Sequence, residues 1–162
     1  MDVAPGTAGE VRQEQPVPAR ILALSTMAEP DYVDLFTLTG GVPGRSPEQW
    51  AKALFEDTAG RMGQFVWRVL LGLRLKSAPG CVAGWEIGDR GADWIRLEAR
   101  SWFLTGHLVV QADGDRVSLA TFLRYDRPLA ARVWPPLAKK HRSLAPDLLR
   151  DARDVQLPDR KR

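Results

Sequence analysis

The stretch DWIRLEARSWFLTGHLVVQADGDRVSLATFLRYD, residues 93–126, alternates in side-chain character with a period of two. From Trp94 to Phe103 one set is Ile95, Leu97, Ala99, Ser101 and Phe103, and the other is Trp94, Arg96, Glu98, Arg100 and Trp102. Such alternation, rich in β-branched and aromatic residues, predicts half-buried strands. Gly and Asp at 113–115 accept positive φ and supply turn chemistry. Residues 93–103, 105–115 and 116–126 therefore read as successive antiparallel strands, with CVAGWEIGDRG (81–91) before them. Fully extended, residues 93–112 would span roughly 65 Å, so a bend or bulge is expected near Ser101–Gly106.

Upstream, DYVDLFTLTGG (31–41) alternates as a further strand and ends at a glycine pair. SPEQWAKALFED (46–57) has the start of a helix: Ser46 at the N-cap, Pro47 at the first position and Gln49 completing a capping box. A second helix is predicted over 61–75, where Met62, Phe65, Val66, Val69, Leu70 and Leu73 recur at helical spacing. Downstream, Leu129, Val133, Leu137, Leu144 and Leu148 lie near one helical face, and His141 falls on the same stripe. Pro135 and Pro136 predict a break or kink there. The order strand, two helices, at least four antiparallel strands and a long C-terminal helix predicts an α+β fold with a sheet curled around the last helix.

A length of 162 residues suits one domain, and 44% apolar residues suffice for a core. Residues 1–20, rich in Ala, Pro, Gly, Gln and Glu, are expected to be disordered; 21–154 form the domain; 155–162 are expected to be a flexible basic tail. The net charge is +3, with eight Lys or Arg against four Asp from Lys139 onward. No recognised nucleic-acid motif accompanies that charge, so no nucleic-acid partner is expected. Cys81 is the single cysteine and cannot form an intrachain disulfide, which fits a reducing cytoplasm. No apolar run reaches the ~18 residues of a membrane span.

The order of elements resembles the helix-grip, or START-like (SRPBCC, polyketide cyclase-like), superfamily. More narrowly, GWEIGDRGADWIRLEARSWFLTGHLVV (84–110), LATFLRYDRPLAARVWPPL (119–137) and KKHRSLAPDLL (139–149) resemble an uncharacterised bacterial domain-of-unknown-function family of that group. The resemblance covers roughly residues 31–152. It implies a sheet wrapped around the last helix, with a cavity for a small, largely apolar molecule. Some members of the superfamily are cyclases, and some relatives of the narrower family are fused to an NAD(P)-binding short-chain-dehydrogenase-like domain. No strand followed by G-x-G-x-x-G occurs in this chain.

Two readings of the opening strand stand side by side. Burying three unpaired charges is costly, which favours Arg96, Glu98 and Arg100 facing outward and pairing across strands. In the other reading the charged side lines a cavity and Arg96 and Arg100 hold an acidic ligand. Small Ala99 and Ser101 would leave room under the helix. On 117–125, Val117, Leu119, Thr121, Leu123 and Tyr125 form one side, apolar with a hydroxyl and a phenol to orient a ligand. The expected ligand-lining residues are Leu97, Ala99, Thr121, Leu123, Tyr125, Trp134 and His141. A cyclase- or aldol-type enzyme is the alternative, with His141 as acid or base and Tyr125 or Arg124 stabilising an enolate. The chain has six tryptophans, and a third reading is a non-catalytic partner module, for an oxidoreductase or as a homodimer, anchored by those on the surface. His107 is expected to be exposed on its strand. The two histidines and the cysteine show no zinc spacing, so no metal and no cofactor are expected. Asp126, Arg127 and Arg132 read as an ion-pair group fixing the last helix.

Overall fold

The computed structural model describes residues 9–157. The elements are β1 (Val11–Gln13), α1 (Ala19–Leu22), β2 (Tyr32–Thr39), α2 (Pro47–Lys52), α3 (Gly60–Phe65), β3 (Cys81–Val82), β4 (Trp85–Arg90), β5 (Trp94–Arg100), β6 (Leu104–Asp113), β7 (Arg116–Tyr125) and α4 (Ala130–Gln156). The fold is α+β, as the alternation predicts: one curved, open, antiparallel seven-stranded sheet of order β1-β2-β7-β6-β5-β4-β3, with a long C-terminal helix. Among the described residues no helix is long and apolar enough to cross a membrane.

Strand pairing assigns every side chain to a face, because directly opposed residues share one. Leu97, Leu108 and Thr121 are aligned across β5, β6 and β7, and Asp34 opposes Thr121. That face also carries Phe36, Leu38, Ile95, Val110 and Leu119, and it packs with Trp50, Leu54, Trp134 and Leu149 in the main core. Arg96, Val109 and Ala120 are aligned on the opposite face. Ile21 and Met27 cover that face together with Leu35 and Phe122 in a second, smaller core.

The N-terminal segment therefore differs from its expected disorder. Residues 9–20 include β1, which pairs with β2 at the sheet edge, and the start of α1, whose Ile21 is fully buried. Burial of one such side chain stabilises by about 1.5–3 kcal/mol, a gain hidden from composition by the surrounding Pro, Gln and Glu. Residues 1–8 lie outside the described residues. At the other end α4 runs through Gln156, so the expected flexible tail begins as helix, and 158–162 lie outside the described residues.

The chain from 93 to 112 does not bend but reverses. The Ser101 amide donates to the Leu104 carbonyl, and Ser101 Oγ accepts from the amides of Phe103 and Leu104. Ser101 thus builds a hairpin turn instead of leaving space. Beyond it, Gly106 opposes Ala99, and the Trp85 ring lies where a side chain on Gly106 would begin. The room predicted from small residues is occupied by that tryptophan.

The capping box at Ser46 forms as expected, with Gln49 N bonded to Ser46 Oγ at 3.1 Å and Ser46 N to Gln49 Oε1 at 2.8 Å. α2 then widens into a π-helical stretch, Ala53–Thr58, and α3 into another, Val66–Leu70. The second helix stops short of Leu75 because Gly72 adopts φ +62°, a conformation that ends a helix and that glycine adopts without strain. Met62, Phe65, Val69 and Leu70 from its apolar stripe are exposed.

α4 is continuous through Pro135, Pro136 and Pro146, in place of the expected break. Its buried face is Ala130, Trp134, Ala138, Ala145, Leu149 and Ala152, while Leu129 and Leu144 are exposed. Four alanines on that face allow close approach to the layer beneath, so the larger leucines do not mark the side that packs.

Candidate functional site

β2 and β7 lie side by side beneath α4, and three of their residues meet His141 from the helix. Asp34 opposes Thr121 across the strand pair, which brings a carboxylate and a hydroxyl to one point on the helix-facing side. His141 follows Ala138 by three residues and precedes Ala145 by four, so helical spacing aims it at the same side. Its Nε2 lies 3.0 Å from Asp34 Oδ2 and 3.4 Å from Thr121 Oγ1. Tyr32 OH also donates to Asp34 Oδ2, at 2.5 Å, and Arg142 Nη1 donates to Tyr32 OH at 3.3 Å. Rings close the cluster: Tyr32 and Phe36 stand edge-on to Trp134 and His141 respectively, and Trp134 lies 5.6 Å from His141.

Burial dominates the chemistry here. Asp34 is 2% exposed. The Tyr32 phenol is pushed up from its ordinary value, first by burial and then by the adjacent Asp34 charge, so it remains a proton donor. A carboxylate facing Nε2 favours the tautomer with the proton on that nitrogen. Nδ1 of His141 then has no hydrogen-bond partner among the described residues.

Among the described residues five buried side-chain atoms have no hydrogen-bond partner: Asp34 Oδ1, Trp134 Nε1, Trp85 Nε1, Thr58 Oγ1 and Gln156 Oε1. Buried polar groups are nearly always satisfied, and each orphan costs about 1–3 kcal/mol. Asp34 Oδ1 and Trp134 Nε1 belong to residues that both adjoin His141, whereas Trp85 lies on β4 against Trp67 and Gly106.

Of the residues expected to line a site, Thr121, Trp134 and His141 come together directly. Leu97 and Leu123 belong to the same core, with Ala99 and Tyr125 at its margin. Arg124 does not join them. It extends to the opposite face, bonded to Asp126 at 2.7 Å and to Thr105, because neighbouring residues on a strand point to opposite sides. The expected Asp126–Arg127–Arg132 group is likewise replaced: Asp126 pairs with Arg124, and Arg127 lies over the Trp102 ring.

Asp34, Tyr32 and Trp85 were not anticipated as site residues. The signal for Asp34 is present in the sequence: it is the lone charge in the set Tyr32, Asp34, Phe36, Leu38. Trp102 is exposed, Trp67 and Trp94 are half-buried, and Trp50, Trp85 and Trp134 are buried, so the tryptophans form no surface patch.

The charged side of β5 is partly enclosed. Arg96 is 8% exposed, donating to Glu98 at 2.7 Å and to the Leu24 carbonyl at 2.9 Å. His107, expected to be exposed, is buried beside it, with Nδ1 2.9 Å from Ser25 Oγ. The segment after α1 covers both, and this accounts for the charges in mid-strand: Arg96 ties a crossing segment to the sheet. Among the described residues no group of three or more His, Cys, Asp or Glu is placed to hold a metal.

No family model matches the chain, and no curated protein and no solved structure matches it.

Proposed function

We propose that this chain is a START-like, helix-grip protein that binds a small, largely apolar molecule between the sheet and α4. The fold-level support is the sequence of β2, two helices, five antiparallel strands and a closing helix, with β2 beside β7. The observation that carries the binding reading is that Asp34 Oδ1 and Trp134 Nε1, on residues that both adjoin His141, are buried and unpartnered within aromatic and aliphatic surroundings. The ligand this pair suits is apolar in bulk, with a hydrogen-bond donor for Asp34 and an acceptor for the indole N–H. Asp34 and Trp134 give direction, and apolar burial gives affinity. The test is mass spectrometry of the purified full chain, native and after denaturing extraction, for wild type and Asp34→Asn. Wild type is expected to carry a stoichiometric small molecule that the variant loses. A folded wild type with a clean apo mass from several expression hosts counts against binding.

Proton transfer is the second reading, favoured by the 3.0 Å contact of His141 with Asp34 and the unpartnered Nδ1. Asp34 would orient the ring, and Nδ1 would remove a proton beside a carbonyl of the bound molecule. The extracted molecule, incubated in heavy water with the protein, would gain deuterium with wild type and not with His141→Gln. Equal exchange with both leaves a binding protein without this chemistry.

A further inference from the structure

We propose that a second site, on the sheet face away from α4, binds a small dianionic molecule through Arg74 and Arg100. A cavity of about 470 Å³ opens there between the end of the N-terminal crossing segment, at Thr26 and Met27, and the strand ends that carry Arg100, Thr105 and Arg124. That volume lies within the range of small-molecule sites, and its wall is unusually charged for one. Four cations, Arg74, Lys76, Arg100 and Arg124, face it against two carboxylates, Glu86 and Glu98, an excess of two positive charges.

The pairing within the wall locates the excess. Lys76 pairs with Glu86, Glu98 is held by Arg96 at 2.7 Å, and Arg124 is held by Asp126 at 2.7 Å. Arg74 and Arg100 remain, and neither side chain has a hydrogen-bond or ion-pair partner among the described residues. Their backbones are fixed side by side, with the Arg74 amide bonded to the Arg100 carbonyl at 3.0 Å. Planar guanidinium forks suit the oxygens of phosphate or carboxylate, and two of them on adjoining backbone, both lining the cavity, offer a dianion two such contacts. The polar end of the ligand therefore sits between Arg74 and Arg100, and Met27 and Ala99 provide the apolar part of the wall. The shared chemistry is a doubly charged oxyanion on a small organic body, either a phosphate monoester or a dicarboxylate.

Calorimetric titration of the full chain with phenyl phosphate, inorganic phosphate and succinate tests this. Saturable binding is expected for at least one probe: a preference for phenyl phosphate identifies a phosphate monoester site, and a preference for succinate a dicarboxylate site. Arg74→Gln and Arg100→Gln are each expected to weaken that binding about tenfold or more, the loss of one charge-assisted contact. Arg132→Gln removes the same charge from the exposed surface of α4 and is expected to leave affinity unchanged. Circular dichroism confirms that the exposed-arginine variants fold. The proposal is overturned if no probe binds to the folded wild type, or if Arg132→Gln weakens binding as much as the cavity variants do.

Discussion

Asp34 Oδ2 accepts a hydrogen bond from Tyr32 OH on its own strand at 2.5 Å and lies 3.0 Å from His141 Nε2 on α4, two residues far apart in the chain. One carboxylate oxygen thereby ties the middle of the last helix to β2, and the other remains open. The oxygen that holds Tyr32 and the oxygen proposed to meet a ligand are different atoms of the same side chain.

Asp34→Ala is expected to lower the unfolding free energy by about 2 kcal/mol, since it removes the acceptor of the half-buried Tyr32 phenol and the carboxylate beside His141. Asp34→Asn keeps an acceptor and is expected to cost clearly less. Urea unfolding of the three proteins measures this. An alanine variant as stable as wild type would mean that the pairing contributes nothing to the fold.

His107 makes stability depend on pH. Burial is the main cause that lowers its pKa below the usual 6.5; Glu98 opposes the shift, and Arg96 and Arg124 add to it. Because the unfolded chain then binds the proton more readily, stability is fully present above pH 6.5 and is lost as pH falls towards the folded-state value. Unfolding curves across that range are expected to steepen in wild type and to flatten in His107→Gln. Identical pH profiles for the two proteins would exclude this histidine as the source.

Ile21 is 1% exposed against Leu35, Val109 and Phe122. Ile21→Ala is expected to destabilise by about 2–4 kcal/mol and to open the crossing segment to protease before the rest of the chain. An unchanged midpoint would show that residues near the N-terminus do not belong to the folded core.

Ser46→Ala removes one half of the capping box and is expected to cost about 1 kcal/mol. A thermal melt of the variant beside wild type reads this directly, and a change near zero would mean that packing alone holds α2.

The sheet was legible because its pattern is local. Period-two alternation in 93–126 sets the faces, and Gly114 sets a turn. Much of the α-helical packing was not legible in this way. The buried face of α4 is built largely from alanine, whose low hydrophobic weight let Leu129 and Leu144 appear to be the packed side. Gly72 could be weighed as a helix residue, but its positive φ depends on tertiary context. That Thr121, Trp134 and His141 lie together follows from their positions on apolar stripes, whereas the nearness of Asp34 requires knowing that β2 lies next to β7. Arg124 illustrates the opposite error: adjacency to Tyr125 in sequence places it on the other side of the sheet.

The most direct test of the central claim is an experimental high-resolution structure of the protein purified without ligand-stripping steps. A bound small molecule within hydrogen-bond distance of Asp34 Oδ1, with an acceptor atom on the Trp134 indole N–H, is the predicted result. A closed interior in which ordered waters alone satisfy those two atoms would contradict it.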